Sequence, residues 1–395
     1  MNRTVFFNAK VVLEDRIEPD GYVIVEDTKI HDCGTGKPPA KLDGTWVDCQ
    51  GNYLTPGLIE THAHGGGGAD FMDGTVQDIL TAARAHMRHG TTTICPTSLT
   101  SSDEDLFLFF DNYIKAKDVT DNMPHLGGLH LEGPYFSPAQ AGAQPPEYLL
   151  HPTPEHYHMV LERAQGNIVR WSVAPELPGA LELGDELARR GIWASIAHTD
   201  ATYEQVKEAV RHGYTHLTHF YSAMSSIVRK DGFRVLGVIE SGYLMDELDI
   251  EIIADGMHLP PELLRLILKC KDHNKISLIT DSMRGAAMPE GPSILGSKKN
   301  GVPCIVEGGI AKLIDRSAFA GSVATSDRLI RVMVQQAGLP LWEAIRMGSL
   351  HPARLLHIDD RTGSIRPGKQ ADLVLFSPEL QVQQVYVSGQ AVTMA

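Results

Sequence analysis

Hydrophobic and polar positions follow two rhythms along this chain, and the change falls near residue 54. Before it, apolar residues come in short alternating runs at 4–13 and 21–25, punctuated by Gly and Pro, and no helical period develops. Such runs predict short strands and turns, hence a small β unit. After it, short runs of β-formers alternate with stretches whose apolar positions recur every three or four residues, most clearly at 76–88, 203–211 and 261–271. That alternation predicts a parallel sheet wrapped by crossover helices. The predicted strands end near His62, Pro96, Glu132, Ala174, His198, His219, Asp255 and Asp281. Eight such units predict an α/β fold of the TIM-like (β/α)8 barrel type. Residues 289–316 interrupt the alternation with Gly- and Pro-rich turns, read as an inserted β-hairpin, and helices are expected at 327–336 and 341–356. The tail returns to β patterning. Residues 1–54 and 358–395 are therefore expected to build one small β-sandwich domain beside a barrel of residues 55–357.

Composition narrows the field without naming a function. A hydrophobic share of 43% and a charged share of 21% over 395 residues suit a soluble protein with a large core. No run approaches eighteen apolar residues and the N-terminus lacks a signal-peptide stretch, so a cytoplasmic protein without a membrane partner is expected. The five cysteines are scattered, with no Cys-x-x-Cys pair, and read as reduced thiols. A formal net charge of −14 argues against a nucleic-acid surface, though a local cluster of donors can still bind a small anion.

Candidate chemistry sits at the predicted strand ends. His62 and His64 share a face of an extended strand and precede Gly65 to Gly68, where no side chain obstructs access. Glu132 follows His130 by two, so both are expected to point inward. His198 and His219 close two later strands. His216 lies three residues before His219, on the opposite face of a regular strand, so only one of the pair is expected to face the barrel axis. Asp281 ends the apolar run 276–279; it reads either as a helix cap or as an acid/base group. A lone histidine is most often structural, but imidazoles and carboxylates gathered at one barrel mouth suit zinc, iron or manganese. Such an ion brings the pKa of a bound water near neutrality. The carboxylate of Glu132 fits between two ions. His86, His89, His151, His156, His158, His212, His273, His351 and His357 read as surface or structural.

These stations, with Pro56-Gly-Leu-Ile-Glu-Thr-His62-Ala-His64-Gly, resemble the amidohydrolase superfamily. Longer segments narrow the resemblance: His130-Leu-Glu-Gly-Pro-Tyr-Phe-Ser-Pro with Ala141-Gly-Ala-Gln144, Thr218-His-Phe-Tyr-Ser-Ala-Met224, Ile253-Ala-Asp-Gly-Met-His258, and Phe319-Ala-Gly-Ser322. They are similar to the N-acetylglucosamine-6-phosphate deacetylases, and the similarity covers nearly the whole chain. It implies hydrolysis of the acetamide of N-acetylglucosamine 6-phosphate to glucosamine 6-phosphate and acetate, a step in amino-sugar catabolism. It implies one or two divalent transition ions, zinc foremost and iron or manganese otherwise. His62, His64, Glu132 and Asp281 would surround one ion, and Glu132, His198 and His219 the other. Asp281 would be the catalytic acid/base, protonating the departing amine. The resemblance places substrate contacts at Ala143, Gln144, Phe319, Ala320 and Gly321, backbone donors at Ser222 and Ala223, a phosphate cation at Arg229 or Lys230, and a polar contact at His258. In relatives that cation can come from a neighbouring subunit, which implies a homodimer.

The chain departs from the family pattern at Ser222, where Asn is common, at Gln144, where His is common, and after Asp281, where Ser-Met-Arg284-Gly-Ala-Ala-Met replaces a shorter segment. These bear on the sugar more than on the chemistry, so N-acetylgalactosamine 6-phosphate stays open. Two other readings are a different amidohydrolase acting on a small amide and a catalytically inert barrel. Cyclic amidases often place a carboxylated Lys where this chain has Glu132, and inert barrels usually lose ligands that this chain retains.

Overall fold

The computed structural model describes residues 2–40 and 42–394; Met1, Lys41 and Ala395, which belong to the expected terminal domain, lie outside the described residues. Eight parallel strands follow in chain order: β1 (Leu58–Ala63), β2 (Thr91–Pro96), β3 (Leu129–Glu132), β4 (Ile168–Val173), β5 (Trp193–Ile196), β6 (Tyr214–Leu217), β7 (Asp249–Ile253) and β8 (Ile276–Ile279). β3 to β8 form a six-stranded sheet of sequential neighbours, and β1 pairs with β2 in a second sheet. Single bridges, Thr97 to His130 and Ala63 to Ser282, join the two sheets at both edges. Every residue of β1, β2, β3, β5, β7 and β8 is buried. Burial on both faces places the polar residues of these strands, His130 and Glu132 of β3 among them, in the interior.

The covering helices begin where the sequence supplies caps. Thr75 accepts from the Asp78 amide at the start of Val76–Met87, and Ser102 does the same for Asp105 at the start of Asp103–Ala116. Each helix turns an apolar stripe inward; Val76–Met87 buries Ile79, Ala82, Ala83 and Met87. The helix expected over 341–356 is two, Leu341–Gly348 and Leu350–Leu355. Pro352 explains the break, because it has no amide to donate and its ring would meet the Gly348 carbonyl in a continuous helix.

The terminal segments share one hydrogen-bonded sheet. Arg3–Val12, Ile17–Glu26, Lys29–Thr35, Thr45–Asp48 and Tyr53–Pro56 join Leu373–Phe376, Val382–Val387 and Gln390–Ala391, with Leu373 opposite Pro56. Phe6 and Tyr386 lie three strand pairings apart, yet their ring centroids are 4.8 Å apart. Where a sandwich was expected, the terminal segments thus form a single sheet curled over a core that includes Phe6, Val23, Leu54 and Leu373.

The insertion is a three-stranded meander, Gly291–Leu295, Val302–Glu307 and Ile310–Leu313, where a hairpin was expected. Gly308 and Gly309 both hold positive φ, 63° and 74°, between the paired Glu307 and Ile310. Two such residues make the tight turn that lets the chain reverse a second time. Leu295, Cys304, Val306 and Ala311 then close a small core with Met283 and Ala320. No helix among the described residues is long and apolar enough to cross a membrane.

Candidate metal centre

The carboxyl ends of the strands are stitched together by backbone bonds. Asp281 donates its amide to the His62 carbonyl (2.9 Å), His64 to the Ser282 carbonyl (2.8 Å) and Thr97 to the Ala63 carbonyl (3.0 Å). Just past their strands, His198, His219 and Asp281 take positive φ, 44°, 32° and 47°. Left-handed backbone at a non-glycine residue costs on the order of 1–3 kcal/mol, so the surrounding bonds must hold it. The turn releases these side chains from strand alternation and brings them into the barrel mouth.

Glu132 stands at the centre. Its Oε1 lies 3.3 Å from His62 Nε2, 3.1 Å from His219 Nε2 and 3.6 Å from His198 Nε2. Its Oε2 lies 3.3 Å from His64 Nε2, and Asp281 Oδ1 lies 3.2 Å from His64 Nε2 and 3.4 Å from His62 Nε2. The side chains therefore gather in two groups that share one carboxylate: His62, His64 and Glu132, and Glu132, His198 and His219.

The donor set fits a divalent cation. His62 Nδ1 faces the Glu251 carboxylate at 2.8 Å and His198 Nδ1 faces the Gln140 carbonyl at 2.9 Å, so both Nδ1 atoms carry the proton and both Nε2 lone pairs face Glu132. His62 Nε2 is buried without a hydrogen-bond partner. The Nε2 atoms of His198 and His219 are 3.1 Å apart, close to the roughly 3.3 Å that two nitrogens at about 2.0–2.1 Å from one tetrahedral zinc require. Among the side chains alone, burial pushes the Glu132 carboxyl up, but His62, His198 and His219 outweigh it and hold the group well below the usual range. Burial likewise opposes ionisation of Asp281, and His62 and His64 prevail.

Beneath the centre lies a polar layer that sequence reasoning missed. Glu251 and Arg170, both buried, pair inside the barrel, and Arg170 also donates to Ser195 Oγ (3.0 Å) and Thr218 Oγ1 (2.8 Å). Charges set among apolar strand residues, Glu251 in Asp249-Ile-Glu251-Ile-Ile253 and Arg170 in Ile168-Val-Arg170-Trp, were the available signal. His216 belongs to this layer, 3.6 Å from Glu251. Both His216 and His219 thus face inward, against expectation. β6 ends at Leu217, so strand alternation does not extend to His219.

The other predicted contacts divide. Gln144 donates to Glu132 Oε2 (2.9 Å) and accepts from the Thr100 amide (3.0 Å), so both ends of its amide are engaged. Ala143 packs against the small core under the insertion. The Ser222 amide, expected to be a donor to the ligand, donates to the His219 carbonyl, and the Ala320 amide donates to the Ala311 carbonyl. Ala223 takes φ 49° beside them. His258 donates Nδ1–H to Asp255 (2.8 Å) and packs on Phe319, with ring centroids 5.1 Å apart. Gly321 approaches the Asp281 carbonyl, and the Ser322 amide bonds that oxygen at 3.1 Å. Arg229 and Lys230 project on an exposed ribbon, Val228–Lys230 against Phe233–Val235, with no ion-pair partner among the described residues. The segment after Asp281 is structural: Arg284 is buried and forks onto Asp73.

Comparison with known proteins adds independent observations. The amidohydrolase family model matches residues 53–392. A Bacillus subtilis N-acetylglucosamine-6-phosphate deacetylase is 32% identical over 375 residues, covering 94% of this chain and 92% of that protein. An Escherichia coli N-acetylgalactosamine-6-phosphate deacetylase is also 32% identical, over 338 residues, covering 85% and 87%. The structure of a substituted Mycobacterium smegmatis N-acetyl-D-glucosamine-6-phosphate deacetylase in complex with N-acetyl-D-glucosamine-6-phosphate superposes with a TM-score of 0.90 at 30% identity, covering all of both chains.

Proposed function

The chain belongs to the amidohydrolase family, and we propose that it hydrolyses the acetamide of N-acetylglucosamine 6-phosphate, releasing acetate and glucosamine 6-phosphate in amino-sugar catabolism. One observation carries the reading: Glu132 lies between two imidazole groups, with Asp281 Oδ1 within 3.4 Å of His62 and His64. His62, His64, Glu132 and Asp281 would hold one divalent ion, zinc foremost with iron or manganese as alternatives, and Glu132, His198 and His219 a second. Such an ion supplies Lewis-acid polarisation of the carbonyl and a water acidic enough to deprotonate near neutral pH.

The remaining steps fall to the chain. Asp281, whose Oδ1 lies beside His62 and His64, would accept a proton from the attacking water and return it to the departing nitrogen. His258, with Nδ1–H committed to Asp255, offers its Nε2 lone pair to a sugar hydroxyl. The ribbon that carries Arg229 and Lys230 leaves Ile227, Val228 and Phe233 52%, 55% and 75% exposed. Apolar exposure beside two unpaired cations supports a homodimer in which the ribbon reaches the partner's phosphate site. The bridges at both sheet edges support a closed (β/α)8 barrel, and five free cysteines are consistent with a cytoplasmic enzyme.

The E. coli relative of equal identity favours one second reading, the galacto epimer. Acetate release should be measured from N-acetylglucosamine and N-acetylgalactosamine, each with and without the 6-phosphate, alongside elemental analysis. Release from the phosphorylated gluco sugar with at least one transition ion per chain is expected. Active protein holding well under one ion, or equal rates without the phosphate, would overturn the reading.

A further inference from the structure

We infer that Glu251, backed by Arg170, is a positioning residue that holds both halves of the metal centre through one oxygen. The inference rests on the reading of His62, Glu132 and His219 as metal ligands. Glu251 Oε1 accepts from His62 Nδ1 at 2.8 Å and from the His219 backbone amide at 3.0 Å. His62 belongs to one group of ligands and His219 to the other. The Glu251 carbonyl also accepts from the Phe220 amide at 2.8 Å, so β7 grips the turn after β6 through main chain and side chain together. That turn holds His219 at φ 32° and Tyr221 at φ 82°, which it would not keep unsupported.

The second oxygen explains why a carboxylate can work there. A buried anion costs several kcal/mol unless paired and hydrogen-bonded. Arg170 Nη1 meets Glu251 Oε2 at 2.5 Å, and Arg170 is itself pinned by Ser195, by Thr218 and by the Trp193 ring, 4.7 Å from its guanidinium carbon. The ionised carboxylate fixes His62 as the Nδ1–H tautomer, turns its Nε2 lone pair to the ion and strengthens it as a donor. Glu251 belongs to neither group of candidate ligands. Its effect reaches the reaction only through His62 and the His219 turn.

The test compares the wild type with the double variant Arg170→Met/Glu251→Gln, which neutralises the pair without leaving a buried charge alone. Zinc affinity is read by competition with a chromogenic chelator, and turnover is measured across a zinc titration. Every ion the wild type binds should weaken roughly 10- to 100-fold in the variant, the usual cost of losing such a partner. Saturating zinc should restore most of kcat with KM within threefold, a rescue that a merely structural defect would not show. Unchanged zinc affinity, or weakening confined to one of two ions, would overturn the inference. Wild type that binds no zinc would instead defeat the reading of the ligands. Nitrogen-15 spectra of histidine-labelled, zinc-loaded wild type provide a check that needs no folded variant: His62 must carry its proton on Nδ1, and a bare Nδ1 would refute the role.

Discussion

Replacing Arg284 with Met should loosen the three-stranded insertion from the barrel mouth while leaving the barrel intact. Arg284 forks onto Asp73 at 2.8 and 2.9 Å, donates Nε–H to the Ile294 carbonyl at 2.9 Å and reaches the Gly68 and Gly296 carbonyls. It therefore ties the glycine-rich turn after His64 to the first strand of the insertion. Breaking a buried ion pair by removing one partner costs about 3–5 kcal/mol. Asp73 would keep Lys298 at 3.0 Å and amides from Asp70 and Lys298, which places the loss near ~3 kcal/mol, the lower end. The insertion packs on its own small core, so opening should be local. Hydrogen exchange read by mass spectrometry should show amides of 291–313 exchanging on the order of 10²-fold faster, since about 1.4 kcal/mol is tenfold, with β1 to β8 unaffected. The Ala320 amide bonds Ala311, and Ser322 bonds the Asp281 carbonyl, so KM should rise in parallel. Exchange in 291–313 within threefold of wild type would refute the clamp.

Asp281→Asn should lower turnover by at least ~10²-fold with KM little changed, measured by acetate release; undiminished turnover would remove Asp281 from proton transfer. Gly133→Ala should cost about 2 kcal/mol or more in urea unfolding, because Gly133 holds φ 99° and a Cβ would collide with Thr100 Oγ1. Adding Thr100→Ala should recover part of that loss, and no recovery would contradict the contact. Burial lowers the His86 pKa to about 4, so folding favours its neutral form. The resulting stability is complete above the unfolded value near 6.5 and is lost as pH falls from there toward about 4. The destabilisation caused by His86→Gln in metal-free protein should accordingly shrink by about 3 kcal/mol between pH 7 and pH 4, and a constant gap would exclude this linkage.

The parts of the site that were legible in the sequence lie at strand ends, where a break in apolar pattern coincides with a chemically rare residue: His62, Glu132, His198, His219, Asp281. Their convergence follows from topology, because parallel strands bring every carboxyl end to one rim. Individual side-chain contacts between distant residues were not legible, even where one of the residues had been singled out. Gln144 meets Glu132 and Thr100, and Arg284 meets Asp73, through contacts that no local period encodes. Glu251 and Arg170 were hidden for a related reason, since a charge set among apolar strand residues looks like noise until its counter-charge is found on another strand. Strand alternation misled at His216 because the chain leaves β geometry before His219. The second reversal of the insertion depended on backbone signs at Gly308 and Gly309, which a glycine pair permits without requiring.

The curled sheet joining both ends of the chain imposes an order on synthesis. Tyr53–Pro56 waits for Leu373–Phe376, its antiparallel neighbour, which leaves the ribosome roughly 300 residues later. At about 10 residues per second that interval is on the order of half a minute, long enough for β1 to β8 to emerge while Phe6 and Leu54 stay partly uncovered. Leu373–Phe376 thus completes the sheet only after β1 to β8 have emerged, and a nascent chain stalled before residue 373 would present an open, apolar sheet edge to chaperones or to other nascent chains.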